Sequence, residues 1–343
     1  MNSAADIFAR QRGNYASSPF GKGPTTRVYP LGEETERWTL SERIHFLARQ
    51  YRELEVSLDP NTKALWCHLC PDGPPSFTPS MVRELTVLHR AIEGVCCSRP
   101  PEEEPYIKYY IQGSRIPGIY NMGGDLGFLT QNIRAGNRDA LRRYAYDCVD
   151  AVYNIAVGFD SSIVTVGLVQ GDALGGGFEG ALCCNFIIAE RSVQMGFPEV
   201  LFHAFPGMGG YSLISRRLDP SRAERLILSG EVYSAEQMHE MGLIDMVVDD
   251  GAGEDAVREY IGADPRAHSV RQALYRVRQQ VSPLDLEELR RVTDIWVDTV
   301  LGLEAQDLRR MEILQAAQQR RLTRGHQAMA EGPSEPGGAK DRA

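Results

Sequence analysis

The sequence predicts an α/β fold in which parallel strands are joined by crossover helices, followed by an all-helical extension. Two observations lead to it. Apolar runs of strand length, such as Ile163–Gly171, alternate with amphipathic stretches such as 79–95. From residue 266 onward the apolar spacing is helical throughout, with one break near Pro283.

The elements follow in order. Residues 1–39 are rich in Gly, Pro, Ser and charge and read as a largely irregular arm. LSERIHFLARQYR (40–52) has helical spacing with Ser41 as a cap. Two short strands, 53–58 and 63–70, flank the turn Asp59-Pro60-Asn61. A helix over 79–95 precedes a breaking loop, CCSRPPEEEP (96–105), and the strand YIKYYIQG. Residues 126–158 are helical with a break near Gly136, and the strand 163–171 runs into three glycines and a helix from about 178. NFIIAE is a strand. PSRAERLILSG is a helix closed by Gly230, and SAEQMHEMG is one that starts at Ser234 and stops at Gly242. LIDMVV is the last strand. The expected domains are the arm 1–39, an α/β core over 40–262, a helical region over 263–330 and a disordered tail over 331–343. No internal repeat is visible.

The chain has 343 residues, ample for a sizeable core, and a net charge of -9, which argues against broad nucleic-acid binding but leaves room for a local basic patch. No apolar run reaches the roughly 18 residues of a membrane span, and the N-terminus lacks the apolar stretch of a secretory signal. The expected location is the cytoplasm. Seven cysteines, an odd number, argue against a disulfide scaffold. Cys67-His-Leu-Cys70 has ligand-like spacing, but no second pair follows, so these read as buried or half-buried thiols and no metal is expected.

The most informative stretch is Val169-Gln-Gly-Asp-Ala-Leu-Gly-Gly-Gly-Phe-Glu179. A strand entering glycines at a helix start presents unpaired N–H groups and lets a ligand approach the backbone, which suits a phosphate or a developing oxyanion. A dinucleotide site fits poorly: the pattern is G-x-x-x-G-G-G, and the acid falls in the first helical turn. A structural tight turn is the plain alternative. Glu199 follows a proline among apolar residues, where poor solvation raises a carboxylate's pKa toward proton-transfer range. Its plain alternative is a capping or salt-bridged glutamate. Together, Glu179 and Glu199 read as a paired acid and base beside backbone donors.

These residues resemble the crotonase (enoyl-CoA hydratase/isomerase) superfamily. GDALGGGFE, then FPEV and FPGMGG, match its central motifs. Met122-Gly-Gly-Asp125 stands in the place of its first oxyanion segment, and LSGEVYSAEQMHEMGLIDMVV resembles a downstream stretch. Within the superfamily the chain is most similar to the diffusible-signal-factor synthases, bacterial enzymes that make a cis-2-unsaturated fatty-acid quorum signal. YNMGGDL, GFPEVLFHAFPGMGGYS and the segment LYRVRQQVSPLDLEELRRVTDIWVDT with Trp296 carry that likeness.

The resemblance implies a ββα superhelix core with a C-terminal helical extension. It implies Glu179 and Glu199 as catalytic carboxylates, with Glu199 taking the α-proton and Glu179 serving the hydroxyl, or the reverse. It implies the amides of Gly124 and Gly176 as oxyanion donors, and no cofactor. Gly123, Leu174, Gly175, Met208 and Trp296 are expected to contact substrate in an acyl tunnel. CHLCPDGPPSFTPSMVREL replaces the usual CoA-region segment, which favours a 3-hydroxyacyl chain on an acyl carrier protein. An ordinary enoyl-CoA hydratase or isomerase is the first rival, and a crotonase-fold protein that docks a signalling partner is the second. A sensor kinase partner and a homo-oligomer, a trimer or a multiple of one, are further implications. Arg216-Arg217, Arg222 and Arg225 form a candidate carrier-docking cluster or a solvated face, and His203 reads as a supporting residue.

Overall fold

Strand β1 (Leu54–Asp59) turns back into β2 (Ala64–Leu69), and Leu54 pairs with Leu69 in an antiparallel register. Asp59 builds the turn: its carboxylate accepts from the Asn61 amide and the Thr62 hydroxyl. This is a computed structural model, and it describes Glu42 and residues 51–97, 105–262, 264 and 266–331. The N-terminal arm, almost all of the helix expected over 40–52, most of the loop 96–105 and the tail after Glu331 lie outside the described residues.

Helix α1 (Pro79–Cys97) starts where the Thr78 hydroxyl accepts from the Met81 amide. Three strand–strand–helix turns come next. β3 (Tyr109–Ser114) and β4 (Ile119–Asn121) lead to α2 (Leu126–Arg134) and α3 (Arg138–Ala156). β5 (Val164–Val169) and β6 (Asp172–Leu174) lead to α4 (Gly176–Leu182). β7 (Phe186–Glu190) and β8 (Gln194–Gly196) lead to a 3-10 turn (Pro198–Phe202) and α5 (Gly210–Ser215). The chain continues through α6 (Pro220–Ser229), β9 (Val232–Ser234), α7 (Ala235–Glu240), β10 (Met246–Val248) and α8 (Gly253–Gly262). The extension comprises α9 (Ala267–Val281), α10 (Leu286–Leu301) and α11 (Ala305–Glu331).

The first strand of each turn joins a large sheet of order β1-β2-β3-β5-β7-β10, and the second joins a small sheet of order β4-β6-β8-β9. β3, β5 and β7 are parallel, as are β4, β6 and β8, so the chain winds as a ββα superhelix. β2, β3 and β5 are buried along their whole length, as an apolar strand between two covered faces must be.

Two differences from the sequence reading matter. The small sheet was not expected: its four strands have three residues each, too few to show alternation. The helical extension has a second break at Gly302, which separates α10 from α11. Two expected caps are present, while Ser41 lies outside the described residues. Gly230 ends α6 in the left-handed region, and Ser234 with Gln237 forms a capping box on α7. Cys67 is buried on β2 and Cys70 lies just past it. Among the described residues, no cluster of three or more His, Cys, Asp or Glu side chains is placed to hold a metal ion, and no helix is long and apolar enough to cross a membrane.

Candidate active site

The superhelix brings the ends of β4, β6 and β8 side by side, and the site is built from the segments that leave those three strands. After β6, Gly175 adopts φ 54 and ψ −128 as its amide bonds to the Gly196 carbonyl. α4 then begins at Gly176, whose N–H has no intrahelical acceptor. One turn later Glu179 is 1 % exposed, and its Oε1 accepts from the amides of Met208 (2.8 Å) and Gly210 (2.6 Å). Two amide donors fix one oxygen and leave Oε2 for other contacts.

After β8, Pro198 opens the 3-10 turn and Glu199 is its second residue. Glu199 makes no salt bridge, and its Oε2 is buried without a hydrogen-bond partner among the described residues. An unpaired buried carboxylate oxygen is expensive to maintain, which points to a ligand or a proton there. Burial lifts Glu179 from an ordinary 4.5 to about 8, helped by the nearby Glu199 charge and opposed by the two amides. Burial lifts Glu199 from 4.5 to about 7. Two carboxyls that feel one another titrate as a pair, and near neutrality the pair holds about one proton.

After β4, Gly123 and Gly124 form the third wall. Asn121 Oδ1 accepts from the Gly123 amide at 2.7 Å, and the Gly123 carbonyl accepts from Phe77. Asp125 caps α2 through the Phe128 amide. A Cβ on Gly176 would lie 3.4 Å from the Gly124 nitrogen, so the two amide-bearing turns are in contact. Neither the Gly124 nor the Gly176 amide has an acceptor among the described residues.

Glu179, Glu199, Gly123, Gly124, Leu174, Gly175, Gly176, Met208 and Trp296 all line one cavity of about 340 Å³. The rest of its wall is mainly apolar and comes from the 3-10 turn and the loop after it, β9, and helices α2, α3, α10 and α11. Trp296 is buried, with its ring over Gly207, where a Cβ would lie 2.6 Å from the indole. The arrangement can donate a proton, accept one and stabilise an oxyanion beside a space for an apolar chain.

Several residues escaped the sequence reading. Tyr144 lines the cavity, donates to the Phe77 carbonyl and accepts from the Asp125 amide at 3.2 Å, bracing the turn that carries Gly124. A tyrosine on the apolar face of α3 was the available signal. Gln318 donates to the Met122 carbonyl, and Arg321 pairs with Asp172, so α11 is tied to the starts of both amide-bearing segments. His203 pairs with Asp307 at 2.8 Å and anchors the 3-10 turn to α11, outside the cavity wall. The cluster read as a docking face is largely committed elsewhere: Arg216 binds Glu288 and the Pro283 carbonyl, Arg217 binds the Cys184 carbonyl and Asp245, and Arg222 binds Asp219. These pairings weigh against carrier docking there and leave Arg222, exposed beside Asp219, and Arg225 as parts of a solvated face.

Residues 101–292 match the family model described as Enoyl-CoA hydratase/isomerase. Among curated proteins, the chain is 37% identical over 161 residues to the Enoyl-CoA isomerase/hydratase fer4 of Mycosarcoma maydis, covering 46% of this chain and 57% of that one. Between 13% and 57% of each of the leading curated relatives is spanned by the match. An enoyl-CoA hydratase/isomerase from Xanthobacter autotrophicus Py2 superposes with a TM-score of 0.62 at 21% identity, covering 83% of this chain and 100% of the other. Pseudomonas aeruginosa DspI superposes at 0.55 with 22% identity, covering 71% and 96%. At these identities the structural matches establish the fold.

Proposed function

Because the chain belongs to the enoyl-CoA hydratase/isomerase family, we propose that it is an acyl-thioester dehydratase with thioesterase activity, releasing a cis-2-unsaturated fatty-acid signal. The observation that carries this reading is that Glu179 and Glu199 face one apolar cavity next to two amides without acceptors.

The chemistry is set by the proton inventory. Ionised Glu199 removes a proton from C2 of a 3-hydroxyacyl thioester. The negative charge moves to the carbonyl oxygen, which the Gly124 and Gly176 amides hold. Protonated Glu179 gives its proton to the C3 hydroxyl, which leaves as water, and within a coupled pair these two roles can be exchanged. The reaction leaves Glu199 protonated and Glu179 ionised, so the pair must exchange a proton before the next cycle. In the second step a carboxylate takes a proton from water as it attacks the thioester carbon. The same amides hold the tetrahedral oxyanion, and the thiol leaves with a proton as the free acid forms. No cofactor enters either step.

The finer assignment, a signal synthase acting on a carrier-bound chain, is supported by the Trp296 segment. Its helix contributes Trp296 and Val300 to the cavity wall, and the Trp296 ring packs over Gly207. The same reading takes residues 40–262 as the catalytic core and 263–330 as the part that encloses the chain. It includes a sensor kinase as a further partner and a trimer or a multiple of one. The ordinary enoyl-CoA hydratase is the second reading, favoured by the curated relatives named as such. Expression in a host without the signal, followed by mass spectrometry of secreted acids, decides between them. Free cis-2 acids support the synthase; trans-enoyl-CoA hydration without free acid supports the hydratase. A pure docking protein would keep its cellular effect in E179Q and E199Q.

A further inference from the structure

Where the cavity opens, the surface changes character. Leu201 and Val232 line the cavity and are still 53% and 45% exposed, so they mark its rim. Arg310 on α11 donates to the Leu201 carbonyl at 3.3 Å, and Arg321 on the same helix lines the cavity. Between and beyond them, the exposed edge of α11 reads Arg310, Ile313, Ala317, Arg320, Arg321, Arg324. These positions are three or four apart or adjacent, so they form one stripe about 21 Å long. Ile313 in that stripe is 66% exposed.

The stripe is positive in a chain whose net charge is -9. The carboxylates near it are already used: Asp172 pairs with Arg321, Glu312 with Arg134, and Asp307 with His203 and Arg310. Arg320 and Arg324 have no carboxylate partner among the described residues. A second copy of this chain would bring a like-charged stripe against this one across a twofold axis, which disfavours self-association here.

We propose that this edge of α11 is the docking surface for an acidic carrier protein, which lays a negatively charged amphipathic helix along Arg310–Arg324 and feeds its thioester-bound chain past Leu201 and Val232. The inference rests on the carrier-borne substrate proposed above. Ile313 supplies an apolar anchor, while Arg320 and Arg324 supply charge complementarity that steers the encounter.

The test compares one 3-hydroxyacyl chain presented on the intact carrier protein and on pantetheine alone, using wild type and R320E/R324E. Both sites are exposed and outside the cavity wall, and unchanged circular dichroism and oligomer size confirm the fold. Docking predicts that the double variant loses roughly tenfold or more in kcat/KM for the carrier substrate, through KM. It keeps the pantetheine rate, and added salt slows only the wild-type carrier reaction. Equal losses on both substrates, or an unchanged carrier rate, overturn the docking surface. A wild type no better with carrier than with pantetheine overturns the docking and the carrier preference but leaves the carboxylate chemistry standing. A wild type inactive on both overturns the proposed function, and the docking with it.

Discussion

The Glu199 carboxylate stands where Gly175 has no side chain: a Cβ on Gly175 would lie 2.3 Å from Glu199 Oε1. Gly175 also holds φ 54 and ψ −128, a conformation closed to L-residues. One glycine thus lets the carboxylate sit beside the first turn of α4, one residue from the Gly176 amide. Gly175→Ala pushes the carboxylate away from the cavity and strains the turn. Activity is expected to fall by about a hundredfold or more, with a modest drop in melting temperature. Near-normal turnover in steady-state assays would separate Glu199 from the chemistry.

The paired carboxylates make a pH prediction. The proposed mechanism requires ionised Glu199, whose pKa burial raises to about 7, and protonated Glu179, whose pKa burial and the Glu199 charge raise to about 8. The kcat/KM profile is therefore a bell with its maximum between those values, and its limbs belong to the pair rather than to either residue. E199Q removes the acid limb along with most of the activity. A flat profile from pH 5 to about 9 contradicts the assignment.

The same shifts act on stability. Both folded pKa values lie above those of an exposed glutamate, so the folded chain binds more protons than the unfolded one between the two. Stability from this source is complete below the unfolded value of about 4.3. It is lost as pH rises through about 7 to 8. Glu179→Gln and Glu199→Gln escape that loss. Each is expected to melt higher than wild type at alkaline pH relative to its difference at pH about 5, as read by calorimetry. Glu179→Gln gains less, because its amide must replace a carboxylate that accepts from Met208 and Gly210.

Tyr144 is expected to act through position. Tyr144→Phe leaves the Asp125 amide and the Phe77 carbonyl without their shared partner and loosens the Gly124 turn. The expected result is a fall in kcat of about tenfold with little change in KM, since full loss of an oxyanion donor costs about 2.7–4 kcal/mol and this variant only displaces one. Binding of an enolate-like oxyanion analogue should weaken more than binding of the matching neutral thioester. Equal weakening of both ligands would assign Tyr144 a structural role alone.

Ala145 is buried on α3 in the cavity wall. Ala145→Leu is expected to shift the products of a mixed-length substrate pool toward shorter chains. Trp296→Ala is expected to admit longer or branched ones while destabilising the fold by roughly 3–5 kcal/mol. An unchanged product distribution by mass spectrometry in both variants would deny the cavity its role in chain selection.

Much of this site was legible in the sequence because its signals are local. Three glycines between a strand and Glu179, and a proline before Glu199, each state a backbone requirement and a poorly solvated carboxylate within a few residues. The small sheet was not legible, because three-residue strands such as Asp172–Leu174 carry no period and form only when β4, β6 and β8 meet. Tyr144 reaches Phe77 across 67 residues, a contact that no local pattern encodes. Gln318 and Arg321 stand in the polar run QAAQQRR, which carries no local signal of a site, and only the fold places them at the cavity. Arg216 and Arg217 could not be placed from the sequence, because a run of charge does not show which distant groups, here Glu288 and the Cys184 carbonyl, it meets.

The most direct measurement is the product spectrum of the purified protein given a 3-hydroxyacyl carrier thioester, with E179Q and E199Q in parallel. Wild type is expected to release free cis-2-enoic acid, and neither variant any above background. A trans-enoyl or hydrated thioester as the sole product, or undiminished free acid from both variants, would contradict it.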